Sequence, residues 1–103
     1  MSTRKEVYAA IDSERAYQNA MADKAYGDPS NDYNKSLETF ALYMQSYQNQ
    51  LVDQLSRTWG PDAYKGPLDT IRKIAALAVA AMEVHGAQPR VSPTKHTEGT
   101  DLT

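Results

Sequence analysis

Charged side chains open the most hydrophobic segment of the chain, LDTIRKIAALAVAAMEVHG. Asp69 and Arg72 are three residues apart, so a helix places both on one face, and Lys73 follows directly. Such a pair can be a simple helix ion pair worth at most ~0.5 kcal/mol. Guanidinium and ammonium groups also bind phosphate oxygens strongly. The pattern therefore predicts either a local ion pair or a phosphate-binding site formed by Arg72 and Lys73.

Aromatic residues and an arginine surround a tight turn in RTWGPDAY. Trp59 stands near the end of a predicted helix, where tryptophan usually fills a core. It could equally offer a stacking surface for a nucleobase, worth ~1–3 kcal/mol per base, while Arg57 holds a phosphate. Tyr64, on the other side of the turn, is a further candidate ligand-binding residue.

The segment ERAYQ interrupts the apolar stripe of the first helix with Glu14 and Gln18. A buried glutamate needs a partner, and an arginine from another helix or from a second chain would serve. The segment therefore predicts either a polar network between helices or part of a ligand site. Arg15 in the same segment is an additional candidate for ligand binding.

Periodicity and turn residues predict an all-α protein, a compact antiparallel bundle of three main helices. Ser36 can cap the second helix, Gly60 and Pro61 end it, Pro67 opens the third helix and Gly86 terminates it. The predicted helices cover residues 3–25, 36–59 and 67–85.

The third helix is apolar almost all round, which is typical of a helix surrounded by others. Its many alanines permit close approach, so a homo-oligomer assembled through this helix is expected. Residues 1–86 form the predicted single domain. The tail, residues 87–103, has little apolar content to offset the entropy of ordering and is expected to be flexible.

Composition excludes several classes of function. The chain has 103 residues, a net charge of −2, no cysteine and two histidines, which removes thiol chemistry and disulfides and leaves carboxylates as ligands for a metal such as magnesium. A duplex nucleic acid partner is not expected, because binding it would need a basic face and the net charge of the chain is −2. The polar N-terminus predicts no signal peptide, and the longest apolar run is too short to cross a membrane, so a cytoplasmic protein is expected.

Three stretches carry a family resemblance: SERAYQNAM, LETFALYMQSY, and IRKIAALAVAAMEVHG followed by AQPR. Between Val7 and Arg90 the chain resembles small proteins of tailed bacteriophages, which are distantly similar to MazG-type all-α nucleotide pyrophosphohydrolases. The resemblance implies a place in the cytoplasm of a bacterial host. It also implies a nucleotide-related function.

The MazG-type enzymes carry EExxE and ExxD clusters that hold magnesium against a nucleoside triphosphate. At the matching places this chain has Glu38 alone, and Asp69 followed by Arg72 where the second acid is expected. A base there repels magnesium. The resemblance then implies a non-catalytic protein without a cofactor, which sequesters a cyclic nucleotide or ADP-ribose-type immune signal to counter bacterial defence.

Two alternatives remain open. One is a divergent magnesium-dependent pyrophosphohydrolase that uses Glu38 and Asp69 together with Glu14 or Asp53. The other is a helical module that binds a host protein and has no small-molecule ligand.

Overall fold

The computed structural model describes the backbone of residues 1–26 and 34–91 and the side chains of residues 1–21 and 34–91. This part of the chain contains three α-helices and no strand. They are α1 (Arg4–Tyr26), α2 (Leu37–Ser56) and α3 (Lys65–His85). The all-α prediction is confirmed, and no helix here is long and apolar enough to span a membrane. Most of the predicted tail and of the loop between the first two helices lies outside the described residues.

A reciprocal pair of hydrogen bonds fixes the start of α1. The Thr3 amide donates to Glu6 Oε1 at 2.8 Å, and the Glu6 amide donates to Thr3 Oγ1 at 3.1 Å. Together they satisfy two amides that have no partner within the helix. The hydrogen bond from the Thr3 amide also lowers the pKa of Glu6 from the ordinary value of 4.5.

This cap is expected to weaken in acid. Because the pKa of Glu6 is lower in the folded protein, its contribution is complete above the ordinary value and is lost as the pH falls through the lower, folded value. An NMR titration of the Thr3 amide proton should show the transition below pH 4.5. Glu6→Gln keeps a capping oxygen but cannot titrate, so it should abolish the transition. A midpoint at or above the ordinary value would contradict the prediction.

The ends of α2 are set by side chains that bond its backbone. Ser36 Oγ accepts from the Thr39 amide at 3.1 Å, which confirms the predicted cap. At the other end the Thr58 hydroxyl donates to the Gln54 carbonyl at 2.6 Å, and the Arg57 amide bonds the same oxygen. The helix therefore ends at Ser56, three residues before the predicted boundary, and Trp59 falls in the connector.

The third helix begins earlier than its proline suggests. Lys65 is its first residue, so Pro67 lies within the first turn, where an amide would have no helical partner. Gly86 follows the last residue with φ 115°, and its amide donates to the Met82 carbonyl at 2.8 Å. The predicted terminator is confirmed, since such a φ favours glycine.

Helices α2 and α3 are antiparallel neighbours, as predicted. Near the start of α2, the ring of Phe40 meets His85 at the end of α3 edge-on, with 6.1 Å between centroids. Near the end of α2, Gln54 Oε1 accepts a 2.7 Å hydrogen bond from the hydroxyl of Thr70, close to the start of α3. Residues near the start of α2 therefore contact the end of α3, and residues near the end of α2 contact the start of α3.

The core lies between these two helices and is small. Phe40 is 1% exposed and packs on Ala80 and Ala81, whose short side chains let the helices approach closely. Partly buried side chains complete the cluster: Met44, Leu77 and Val84. The buried apolar residues of the described chain are Phe40, Leu51, Pro67, Ala76, Ala80 and Ala81.

Helix α1 lies across α3, so the antiparallel arrangement predicted for the bundle is shown for α2 and α3. Glu14 bonds Arg72 at 2.8 Å, while the next residue, Arg15, bonds Glu83 at 2.8 Å. Arg72 and Glu83 are about three turns, roughly 16 Å, apart along α3. Contacts from consecutive residues to both positions indicate that α1 lies at an angle across α3. Within the described residues, α1 packs on α3 and not on α2.

The crossing explains why the predicted stripe of α1 is only partly covered. Val7 and Met21, toward the two ends, are 44% and 39% exposed because the ends of α1 extend beyond α3. The buried residues of its described part are charged: Glu14 and Arg15 are 8% and 7% exposed. Two interhelix ion pairs, Glu14–Arg72 and Arg15–Glu83, join this helix to α3.

Candidate functional site

A cleft of about 520 Å³ lies where α1 crosses α3. Its volume falls in the range of small-molecule sites. Helical spacing brings one face of α1 to the cleft opposite the charged first half of α3. The lining residues are Ala10, Ser13, Glu14, Tyr17, Arg72 and Lys73.

Arg72 is held in place by two carboxylates. Its Nε donates to Glu14 Oε1 at 2.8 Å and its Nη1 donates to Asp69 Oδ1 at 2.7 Å. The hydrogen bond to Glu14, followed by that to Asp69, raises the pKa of Arg72, so the group stays charged. A guanidinium has five N–H donors. The two bonds use two of them, which leaves three for a ligand.

Lys73 supplies a second positive charge to the same cleft. Its Nζ lies 5.9 Å from the ring centroid of Tyr47, a cation–π distance that ties the lysine to α2. Glu14 and Asp69 offset the charges of Arg72 and Lys73. An anion would therefore be bound by the geometry of the remaining donors and not by a strongly positive field.

The ion pair predicted for the DTIRK segment is confirmed, whereas phosphate binding by this segment stays a prediction. The local ion pair between Asp69 and Arg72 is present, and Glu14 extends it to another helix. The prediction that a buried Glu14 would meet an arginine from another helix is thus confirmed. Arg15 instead makes the second interhelix pair with Glu83, a structural role outside the lining of the cleft.

The candidate residues of the connector lie apart from this cleft. Arg57 forms an exposed ion pair with Asp53 at 3.2 Å, and Trp59 is 88% exposed. Tyr64 lines a different cleft of about 440 Å³, formed by residues 60–65 and Leu68. The structure therefore joins Arg72 with Lys73 and does not bring Arg57, Trp59 or Tyr64 to them.

Tyr17 and Ser13 are cleft residues that the sequence did not single out for ligand binding. Tyr17 follows Glu14 by three residues, so both lie on the same face of α1. The tyrosine is 60% exposed, which leaves its ring open to a stacking ligand. The position of Tyr17, three residues after the buried Glu14 on the same helix face, is the sequence signal that could have identified this tyrosine.

The acids of the hydrolase alternative are separated within one chain. Glu38 lies in the first turn of α2, which the contact between Phe40 and His85 places at the C-terminal end of α3. Asp69 lies near the start of α3, roughly 24 Å away along the helix. Over the described residues, no three acidic or histidine side chains cluster in a way that could hold a metal ion. Glu38 and Asp69 therefore do not form one metal site in a single chain.

Comparison with known proteins adds no relative. No family model, curated protein or solved structure matches the chain. The resemblance to phage proteins and MazG-type enzymes stays a prediction, and the cleft has to be interpreted from its own chemistry.

Proposed function

We propose that the protein is a non-catalytic binding protein that holds a nucleotide-derived anion in the cleft between α1 and α3. The observation that carries the proposal is the fixed guanidinium of Arg72 beside Lys73 in a cleft of about 520 Å³. Its carboxylate partners hold the guanidinium in place before a ligand arrives, so less side-chain entropy is lost on binding.

The cleft offers a separate group for each part of such a ligand. Arg72 and Lys73 donate to phosphate oxygens. Tyr17 supplies an exposed ring for the base, the part first assigned to Trp59. Asp69 is engaged by Arg72, and Glu38 lies near the far end of α3, so the proposed role is binding without turnover.

Binding without turnover lowers the concentration of the free ligand, and this is the biological role that we assign to it. Together with the resemblance to tailed-phage proteins, it favours sequestration of a cyclic nucleotide or ADP-ribose-type immune signal. The amount of ligand that such a protein removes is proportional to its own amount, and the ligand is chemically unchanged when it is released.

A thermal-shift screen tests the proposal against cyclic dinucleotides, cyclic trinucleotides, ADP-ribose isomers and nucleoside triphosphates, with magnesium or with a chelator. A ligand at a hundredfold excess over its Kd stabilises the fold by ~2.7 kcal/mol. For a domain of this size the melting temperature should rise by about 10 °C or more. The shift should not need magnesium, and chromatography should recover the ligand unchanged. A flat screen, or hydrolysis that depends on magnesium, would contradict the proposal.

Cleft variants locate the binding. Lys73→Ala leaves the ion pairs of Arg72 in place and should weaken binding about tenfold or more, since a hydrogen bond to a charged group contributes ~1.5–3 kcal/mol. Arg72→Lys keeps the charge but loses the fork, and should weaken binding similarly. Arg57→Ala, which removes an exposed arginine outside the cleft, is the matched control and should bind normally. Equal affinity in all three variants would place the ligand elsewhere.

A further inference from the structure

The charges that face the cleft between α1 and α3 balance. Arg72 and Lys73 are positive, and the guanidinium is bonded by two carboxylates, those of Glu14 and Asp69. The other residues that line the cleft are of uncharged types. The cleft therefore offers hydrogen-bond donors to an anion without an excess of positive charge.

The two carboxylates stay close to any phosphate that Arg72 binds. They bond the guanidinium at 2.8 and 2.7 Å. A phosphate on the remaining N–H donors would lie within roughly 5–8 Å of both, as hydrogen-bond lengths on the sides of one guanidinium dictate. Glu14 is 8% exposed, so little water screens its charge. Like charges at such distances repel each other.

Phosphate groups differ in the charge that they bring to this cleft. A phosphodiester carries one negative charge. A terminal phosphate monoester carries about −1.5 to −2 at pH 7, because its second pKa is about 6. The cost of removing an ion from water rises with the square of its charge. The second charge would also meet two carboxylates with no cation left to neutralise it.

We infer that the cleft selects a phosphodiester over a terminal phosphate, an inference that rests on the function proposed above. The ligand is then a nucleotide whose phosphate is closed into a ring, and nucleoside monophosphates, diphosphates and triphosphates are excluded by their charge. Of the two ligand types proposed above, this favours the cyclic nucleotide. An ADP-ribose-type ligand brings two adjacent charged phosphates to one pair of cations.

Asp69 favours the same choice through its second oxygen. It contacts Arg72 through Oδ1, and its side chain is 49% exposed, so Oδ2 can accept a hydrogen bond from a ligand. Ribose hydroxyls and base amino groups are donors of that kind. A dianionic phosphate has only acceptors, as has the carboxylate. A terminal phosphate beside Asp69 would set acceptor against acceptor.

Matched pairs of ligands test the inference by isothermal titration calorimetry at neutral pH. Each of the four ribonucleoside 5′-monophosphates is compared with its methyl ester. Cyclic diadenylate and cyclic diguanylate are compared with their linear forms, which end in a 5′-phosphate. The members of a pair share base and sugar and differ in phosphate charge. The diester should bind about tenfold more tightly, a modest factor because the side chain of Arg72 is 34% exposed and solvent screens part of the repulsion.

Asp69→Asn tests the cause of the preference. The amide oxygen can still accept from Nη1 of Arg72, so the guanidinium stays in place while one negative charge is lost. The variant should bind the monophosphates more tightly and reduce the preference for the diester about threefold or more. Asp53→Asn is the matched control, because Asp53 also bonds an arginine, Arg57, but lies on α2 outside the cleft. Its preference should equal that of the wild type.

The outcomes separate this inference from the proposed function. A monophosphate that binds as tightly as its methyl ester, in a manner that Lys73→Ala weakens, would overturn the inference and leave the proposed function standing. An unchanged preference in Asp69→Asn would overturn it as well. Absence of binding by every diester would also overturn the inference, whereas the thermal-shift screen decides the proposed function over a wider set of ligands.

Discussion

Replacement of Phe40 by alanine is expected to remove about 3–5 kcal/mol of stability, the range for truncating a buried aromatic side chain. Phe40 is 1% exposed and is the largest side chain in the cluster between α2 and α3. Natural domains are stable by only about 5–15 kcal/mol. Because few other apolar residues are fully buried, this one change should remove a large share of the total.

Urea and thermal unfolding, followed by circular dichroism, measure the effect. The melting temperature of Phe40→Ala should fall by about 15 °C or more. Leu42→Ala on the same helix is the control, because Leu42 is 66% exposed and its truncation should change stability by no more than about 0.5 kcal/mol. All samples are compared at one protein concentration. Similar losses in the two variants would show that the main core lies elsewhere.

Glu83→Ala is expected to loosen α1 while α2 and α3 stay folded together. It removes the carboxylate that Arg15 bonds through two nitrogen atoms, at 2.9 and 2.8 Å, and the arginine side chain is 8% exposed. Loss of one carboxylate from a buried arginine is costly, here about 2–3 kcal/mol, below the range for fully buried pairs because Glu83 is half exposed. Since this ion pair joins α1 to α3, the cost should fall on α1.

Amide hydrogen exchange resolves the helices separately. Protection in α1 should fall about 30-fold to 100-fold in Glu83→Ala, while protection in α2 should hardly change. Asp12→Ala, which removes an exposed carboxylate from α1 itself, should have little effect. The double variant Arg15→Met, Glu83→Met removes both charges of this pair and should recover much of the protection. An equal loss in all three helices would show that α1 does not open on its own.

Local features of the fold were predictable because their causes are local. Ser36 and Gly86 mark helix ends through bonds to their own neighbourhood, and both act as the sequence indicates. The predicted end of α2 was three residues too late, because the Thr58 hydroxyl bonds the Gln54 carbonyl and hydrophobic periodicity does not reveal such a bond. Trp59 therefore lies exposed in the connector and does not fill the core.

The arrangement of the helices was harder to predict because it depends on the angles between their axes. A buried Glu14 requires a positive partner, and the sequence indicated one, but several arginines and lysines could serve. The way α1 lies across α3 pairs Arg72 with Glu14 and Glu83 with Arg15. The same angle brings Tyr17 to the cleft. Arg72 and Lys73 were singled out because their charges stand out in an apolar helix, whereas an exposed tyrosine on a mixed face does not.

The central position of α3 also favours one order of folding. Helices α2 and α3 are joined by a short connector, so their contacts close a small loop at low entropic cost. The pairs that hold α1 span 58 and 68 residues of sequence. Contacts that are so distant in sequence form late. We expect α2 and α3 to fold first as a helical hairpin, which then serves as the template on which α1 docks.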